Sequence, residues 1–251
     1  MASHSIESMV LRADRGDMKA IRWLLDRATA NADPELRLLA NQAFAEADKR
    51  VHLNEKDGSV LIDIPEGPLW RFMFKDEIEL SAFRMAQHPV TNHQFYTFIQ
   101  ETGYEPVGGT VREFLMHWYQ GKPLDALLEH PVVHVSLLDA LYYCEWAGVM
   151  LPDEWMWEKA AAGAEGRLRP WGRLVASPEL ANISSGSTKP IGSYSQIRTV
   201  YGCQDMIGNV MEWTSSHARS SADAQYGEVF DLESFDEGTA RFHHVTAVTR
   251  G

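Results

Sequence analysis

The two cysteines of the sequence are its most reactive side chains, because a thiolate can act as a nucleophile or bind a soft metal ion. Cys144 follows Tyr142 and Tyr143 on the apolar side of a predicted helix, and Cys203 lies in a loop-rich segment. Both positions suit a small buried hydrophobic residue, so we expect neither thiol to be a nucleophile. Two cysteines also provide neither a disulfide framework nor a Cys-rich zinc site.

The histidines are the other candidate metal ligands, since imidazole binds zinc, copper, iron and nickel. His243 and His244 are adjacent on a predicted strand, where successive side chains point to opposite faces, so the pair is poorly placed to share one ion. We interpret His134 as a core or edge histidine with satisfied hydrogen bonds. The predicted N-terminal helices contain no His-x-x-x-His pair. The histidine pattern therefore argues against an iron site.

Composition and charge favour a globular, cytoplasmic protein. A chain of 251 residues can form one large domain, or a domain with a small appendage, and 45% hydrophobic residues suffice for a core. The net charge of −12, with no basic stripe, argues against a nucleic-acid partner. The N-terminus lacks the pattern of a signal peptide, and no window approaches the roughly 20 apolar residues of a membrane span. We therefore predict no membrane partner and a cytoplasmic location.

Residues 1–52 are predicted to form a prefix of two or three short antiparallel helices. Asp17 is placed to cap one helix, and Asp33, followed by Pro and Glu, begins the next. Such a small helical unit cannot bury its own apolar face, so that face must dock on the following domain or on another protein. Both alternatives stay open, and in the second Trp23 and Leu24 are the expected partner-binding residues.

The pattern changes to short strands after residue 58. Apolar or alternating runs at 60–64, 70–74 and 77–80 are separated by turn residues, which is typical of strands. Thr91 is then a predicted N-cap, and Gly103 is expected to end the helix that it starts.

The middle of the chain is predicted to alternate between irregular and helical segments. Residues 111–130 look helical but irregular, and we interpret them as an insertion. A buried strand is predicted at 131–135, followed by a helix that Ser136 caps and that runs to Trp146. A second helix is predicted at 153–163, after which the chain is rich in loops.

Five motifs occur in an order that resembles the formylglycine-generating enzyme (sulfatase-modifying factor) family. They are His88–Asn92 (HPVTN), Val135–Ala140 (VSLLDA), Leu151–Glu154 (LPDE), Pro170–Gly172 (PWG) and Asp205–Thr214 (DMIGNVMEWT). The resemblance implies an α+β, C-type-lectin-like fold with many loops over residues 58–251, preceded by the helical prefix. Most of the matching residues, such as Trp157 and Trp171, are expected to hold loops in the core and say little about chemistry.

The resemblance also implies calcium, which takes six to eight oxygen ligands. Asn209 with Glu212 matches one calcium-binding segment of the family, and Asn182 matches the start of a second. The second site is weaker, because no carboxylate follows before Pro190. The alternative for Asn209 and Glu212 is a hydrogen-bonded staple between loops. Calcium is the only cofactor predicted.

The catalytic cysteine pair of the family has no counterpart here. In the family an Arg-Gly-Gly-Ser-Trp stretch precedes the last strands and the cysteines, and this chain ends inside that stretch at Arg250-Gly251. Cys144 and Cys203 do not match the pair, which holds copper(I) through two thiolates. We therefore expect a domain that lacks the family's C-terminal end and its chemistry.

The leading hypothesis is a non-catalytic protein-interaction or scaffold subunit. A predicted final strand at 242–249 is expected to present an uncovered edge, so Val245, Ala247 and Thr249 are candidate partner-binding residues beside the helical prefix. One alternative is half of a split formylglycine-generating oxidase that another chain completes. Another is a ligand-binding protein resembling the variable proteins of diversity-generating retroelements.

Overall fold

The computed structural model describes residues 5–71, 74–106, 113–217 and 247–250. Within them the helices are α1 (Ile6–Ala13), α2 (Met18–Asn31), α3 (Pro34–Ala47), α4 (Asn92–Thr102), α5 (Leu137–Ala147) and α6 (Glu154–Ala162). The strands are β1 (Val51–Leu53), β2 (Val60–Ile64), β3 (Gly67–Arg71), β4 (Asp76–Leu80), β5 (Phe83–Ala86), β6 (Glu212–His217) and β7 (Ala247–Arg250). No helix among the described residues is long and apolar enough to cross a membrane.

Helices α1, α2 and α3 pack on one another around a small core of their own. The predicted caps are confirmed: Asp17 Oδ1 accepts hydrogen bonds from the first turn of α2, and Asp33 Oδ1 accepts one from Leu36 N. Leu24 is only 1% exposed in the centre of this core, packed with residues such as Ile21 and Ala40. The prediction that Leu24 meets a partner is therefore wrong for this arrangement, because its side chain is turned into the prefix. Trp23 lies at the edge of the same core and is half-buried.

The prefix docks on the rest of its own chain through a polar contact that we call the seam. Arg37 of α3 forms an ion pair with Glu129, and the two side chains are 8% and 2% exposed. Arg37 also donates to the hydroxyl of Thr29, which itself donates to the carbonyl of Ile191 over 3.0 Å. Asn41 Nδ2 donates to a loop carbonyl, Gly58 O, at 2.9 Å. Of the two alternatives, the prefix thus docks on its own domain.

A three-stranded antiparallel sheet forms the centre of the domain, in the order β1-β2-β5. Alternate residues of β2, namely Val60, Ile62 and Ile64, are buried, as expected for a strand with one face on a core. Helix α6 covers that face with Trp157 and Ala160. Two-stranded ribbons, β3–β4 and β6–β7, complete the described sheets.

Helices α4 and α5 begin where the sequence predicts. Thr91 forms a capping box with Gln94, and Ser136 forms another with Asp139. A left-handed glycine ends each helix. An aromatic cluster fills the space around the two helices, with Phe95 stacked on Tyr143 at a ring-centre distance of 5.6 Å. The aromatic cluster thereby holds the two helices together.

Two predicted elements are absent from the described residues. Residues 113–130 contain a single 3₁₀ turn at Asp125–Leu127 and no α-helix. The predicted strand at 131–135 is reduced to one bridge between Pro131 and Thr91, because His134 has a φ of 58° and turns the chain away from an extended path. Conversely, β1 and β5 were not expected from the sequence.

Candidate functional site

An apolar cavity of about 680 Å³ lies among the described residues, and we call it the cavity. Its walls come from β5, α5, the segment 132–135 and the segment 204–213. Backbone hydrogen bonds set the position of the last segment, since Gln204 N donates to Gln87 O at 2.8 Å and Ser215 N to Pro152 O at 2.9 Å. The volume lies within the range of about 300–1,000 Å³ that is usual for ligand pockets.

Five methionines among the described residues line this cavity. They are Met85, Met150, Met156, Met206 and Met211. Met150 and Met211 are 74% and 65% exposed, so flexible apolar side chains lie where the cavity opens to solvent. Methionine is unbranched and adapts its shape, which is why surfaces that bind varied peptides are rich in it.

Two residues that line the cavity, His88 and Gln204, and the adjacent Asp205 each have a buried polar atom without a described hydrogen-bond partner. His88 Nδ1 and Gln204 Oε1 are buried, and neither atom forms a hydrogen bond with a described residue. Asp205 Oδ2 is also buried without a described hydrogen-bond partner. It lies 3.9 Å from His88 Nδ1, which is too far for a hydrogen bond. Burial lowers the pKa of His88, so the ring is neutral at pH 7 and forms no ion pair with Asp205. A few unpaired polar groups in an apolar pocket are the usual mark of a ligand site.

Glu212 provides a titratable group on the same wall. Its pKa is raised to about 7, chiefly by burial, with a smaller contribution from the negative charge of Asp205, while the hydrogen bond from the indole N–H of Trp157 at 3.4 Å opposes the shift. The carboxyl of Glu212 is thus close to half-protonated at neutral pH. Because a carboxyl group must lose its proton to bind a metal ion, a cation bound by Glu212 would displace that proton.

Asn209 and Asn182 lie together as a staple between two loops. Asn209 Oδ1 accepts hydrogen bonds from Asn182 Nδ2 at 3.0 Å and from Lys189 N at 2.8 Å. An amide oxygen has two lone pairs, so none is left for a calcium ion. These hydrogen bonds are those of the staple alternative for Asn209, and a calcium ion could bind its side-chain oxygen only if one of them broke. Asp205 and Glu212 fit a hard cation better, because Asp205 Oδ2 is buried without a partner.

Both cysteines are buried, as predicted. Cys203 is fully buried in the core beneath β2, and Cys144 is buried in α5 at the wall of the cavity. Burial raises the pKa of each thiol to about 12. A thiol is neither a good nucleophile nor a ligand for copper until it loses its proton. Neither cysteine is therefore prepared for catalysis in this structure.

The predicted partner-binding residues near the C-terminus are partly described by the structure. Ala247 and Thr249 lie on β7, whose backbone pairs with β6 so that Thr249 is opposite Trp213. Val245 lies outside the described residues. Among the residues that the structure describes, no group of three or more His, Cys, Asp or Glu could hold a metal ion.

His88, Gln204 and Asp205 are the site residues that sequence reasoning missed. His88 and Asp205 stand within two of the five motifs, but the sequence analysis gave neither residue a role in a site. Their positions within the motifs were the only feature of the sequence that could have indicated a role in a site. Sequence spacing could not reveal that the two lie 3.9 Å apart, since 116 other residues separate them.

Comparisons with known proteins agree with this architecture. Hercynine oxygenase of Mycolicibacterium smegmatis is 34% identical over 167 residues, which make up 57% of this chain and 39% of that protein. Inactive C-alpha-formylglycine-generating enzyme 2 of Mus musculus is 32% identical over 186 residues, 56% of this chain and 60% of that protein. The chain thus spans less than two thirds of the length of either relative.

A solved structure shows the shared fold, and a family model identifies the family. The structure of PvdO from Pseudomonas aeruginosa superimposes with a TM-score of 0.53 at 21% identity, covering 67% of this chain and 75% of that one, which shows a shared fold. The model of the sulfatase-modifying factor enzyme 1-like domain matches residues 49–251. The resemblance drawn from the five motifs is confirmed, and the α+β fold that it implied is confirmed with it. This chain belongs to the sulfatase-modifying factor enzyme 1-like domain family.

Proposed function

We propose that this chain is a non-catalytic binding module that holds a segment of another protein in the cavity. The observation that carries the proposal is an open, methionine-lined cavity of about 680 Å³, and Cys144, whose pKa is raised to about 12, is the one thiol among the described residues that line it. Such a cavity offers binding without the deprotonated thiol pair that copper-dependent oxidation requires. The inactive relative from Mus musculus, 32% identical, supports a role of this kind.

The chemistry of the walls indicates what the segment looks like. Exposed Met150 and Met211 favour an apolar side chain, and Gln204 Oε1 is a buried acceptor that needs a donor. A segment of extended backbone supplies both, because its N–H groups donate between successive side chains. We therefore expect short peptides with one or two large apolar residues to bind.

Peptide selection on the purified chain tests the binding. Peptides are recovered from a random display library, and their affinities for the wild type and for Ala140→Phe are compared by fluorescence anisotropy. Ala140 lies on α5 at the cavity wall, so the phenylalanine side chain would occupy cavity space. We expect this substitution to weaken binding at least tenfold. Ala30→Phe, on the exposed side of α2, is the matched control and should leave the affinity unchanged. Selected peptides that bind both variants equally well would contradict the proposal.

A second assay tests the absence of catalysis. A selected peptide that contains cysteine is incubated with the chain, copper(I) and oxygen, and its mass is followed. We expect the cysteine to survive unchanged. Conversion to the aldehyde at a rate that depends on Cys144 would show an oxidase and end the non-catalytic proposal.

A second candidate is one part of an oxidase that another chain completes. The 34% identity to hercynine oxygenase, over only 39% of that protein, favours it. In this case the chain alone is inert, and adding a polypeptide that carries a cysteine pair restores oxygen consumption. The first candidate predicts no consumption with either preparation, so an oxygen electrode separates the two.

We further propose that Asp205 and Glu212 bind calcium when it is present. The buried, unpartnered Asp205 Oδ2 and the raised pKa of Glu212 support this assignment. Calcium at pH 7 should raise the melting temperature of the chain and not that of Asp205→Asn. The control is Asp63→Asn, a half-exposed aspartate on β2. A calcium response that Asp205→Asn retains would place the ion elsewhere.

A further inference from the structure

Two histidines approach each other at the rim of the cavity. His117 and His134 have ring centres 5.5 Å apart, and Leu115 N donates to His134 O at 2.9 Å, which ties their two segments together. His134 is exposed and lines the cavity, while the neighbouring His117 is half-buried and is not one of the lining residues. Neither the binding proposal nor the calcium proposal uses this pair.

The hydrogen bonds around Asn92 fix which nitrogen of His117 carries the proton. Asn92 Nδ2 donates to the carbonyls of Leu127 and His130, at 2.9 and 3.1 Å, so the amide orientation is determined. Asn92 Oδ1 is then an acceptor, and it receives the indole N–H of Trp118 at 2.7 Å. His117 Nε2, 2.8 Å from the same oxygen, must also donate. Neutral His117 therefore has its proton on Nε2 and a free lone pair on Nδ1.

The lone pair of His117 Nδ1 has no described partner. The atom is buried, and no described residue donates a hydrogen bond to it. Burial and the neighbouring His134 lower the pKa of His117 to about 4, so the ring stays neutral at pH 7. A histidine that binds a metal through one nitrogen usually donates its other N–H to an oxygen. Asn92 holds His117 in that state.

His134 is placed to share an ion with His117. Two imidazoles bound to one ion, each with a metal–nitrogen bond of about 2.0–2.1 Å, place their ring centres about 5–6 Å apart. The observed separation of 5.5 Å agrees with this geometry. His134 also has a φ of 58°, in the left-handed region, and such backbone strain is concentrated at sites that bind ligands.

We propose that His117 Nδ1 and His134 together bind a divalent transition-metal ion of the zinc and copper class at the rim of the cavity. Imidazole suits these ions, and neutral imidazole is the form that binds. The two histidines leave the other coordination positions open to water or to a side chain of a bound protein segment. His134 lines the cavity, so those positions are accessible from it.

Zinc titration of the purified chain tests the site. Binding of Zn²⁺ is measured by calorimetry at pH 7.5 for the wild type, His117→Gln and His134→Asn. Glutamine keeps a donor for Asn92 Oδ1, and asparagine tolerates the left-handed backbone at 134. We expect each substitution to weaken binding at least tenfold. His93→Gln, a half-buried histidine on α4, is the control and should have no effect.

Imidazole nitrogen spectra provide a readout that does not depend on the variants. Without metal, long-range ¹H–¹⁵N spectra should show His117 protonated on Nε2. Zn²⁺ should then shift His117 Nδ1 and one nitrogen of His134 together. A proton on Nδ1 of His117, or zinc binding that survives both substitutions, would overturn the proposal, and the spectra decide the matter if His117→Gln fails to fold.

Discussion

Buried polar groups have different surroundings at the seam and in the cavity. At the seam, Arg37 and Glu129 are paired with each other, and Asn41 donates to a carbonyl. In the cavity, His88 Nδ1 and Gln204 Oε1 are buried without partners. Leaving one such group unpaired costs about 1–3 kcal/mol, which a fold sustains where a ligand supplies the missing partner. We interpret the seam as a stabilising contact and the cavity as a binding site.

Removing one member of the seam ion pair should have the largest effect on stability. Glu129→Ala leaves the guanidinium of Arg37 buried and charged, since burial lowers its pKa only to about 10. An unpaired buried charge typically costs about 3–5 kcal/mol, which urea unfolding at pH 7 would measure. The control is Arg84→Ala, which breaks a half-exposed pair with Asp63 and should cost less than about 1 kcal/mol. Equal losses for the two variants would show that the seam is not a special contact.

The pH dependence of stability should report the carboxyl of Glu212 in the absence of calcium. Its pKa rises from 4.5 to about 7 on folding, so between these values the folded protein holds a proton that the unfolded chain has lost. Stability therefore falls as the pH rises through this window and levels off above it. Compared with Glu212→Gln, the wild type should lose about 1–3 kcal/mol between pH 5 and pH 7.5 in urea unfolding. Parallel curves for the two proteins would exclude the raised pKa.

Matched amide substitutions should have opposite signs in the two regions. Asn41→Leu removes the donor to Gly58 O and should destabilise the chain by about 1 kcal/mol. Gln204→Leu removes a buried oxygen that has no described partner and should stabilise it by up to about 1 kcal/mol, while weakening peptide binding. Thermal unfolding of both variants measures the difference. A loss of stability in Gln204→Leu would mean that the amide is already paired.

Local chemistry made the helices predictable. Asp17, Thr91 and Ser136 each satisfy N–H groups at the start of a helix, and these interactions lie within four residues of the cap. The strands of the central sheet were only partly predicted. β1 and β5 contain three and four residues, and they exist because β2 pairs with both of them. A pattern so short carries no periodicity of its own.

The candidate site was harder to predict than the fold. Several family motifs lie in segments that line the cavity, and one of them contains Glu212, which we predicted as a calcium ligand. They also suggested Asn209 as a calcium ligand, whereas a neighbouring loop occupies its side-chain oxygen. Which atoms of a motif are engaged depends on loops that are distant in the chain, and spacing along the sequence carries no information about them.

The sequence by itself determined the family, the α+β fold and the burial of both cysteines, because motifs, caps and apolar patterns are local properties of the chain. Tertiary structure decided that the prefix docks through Arg37 and Glu129, which are separated by 91 residues. It also decided which polar atoms are satisfied, leaving His88 Nδ1, Gln204 Oε1 and His117 Nδ1 without described partners. Hydrogen-bond satisfaction depends on distances of a few ångströms between segments far apart in sequence, and only folding sets those distances.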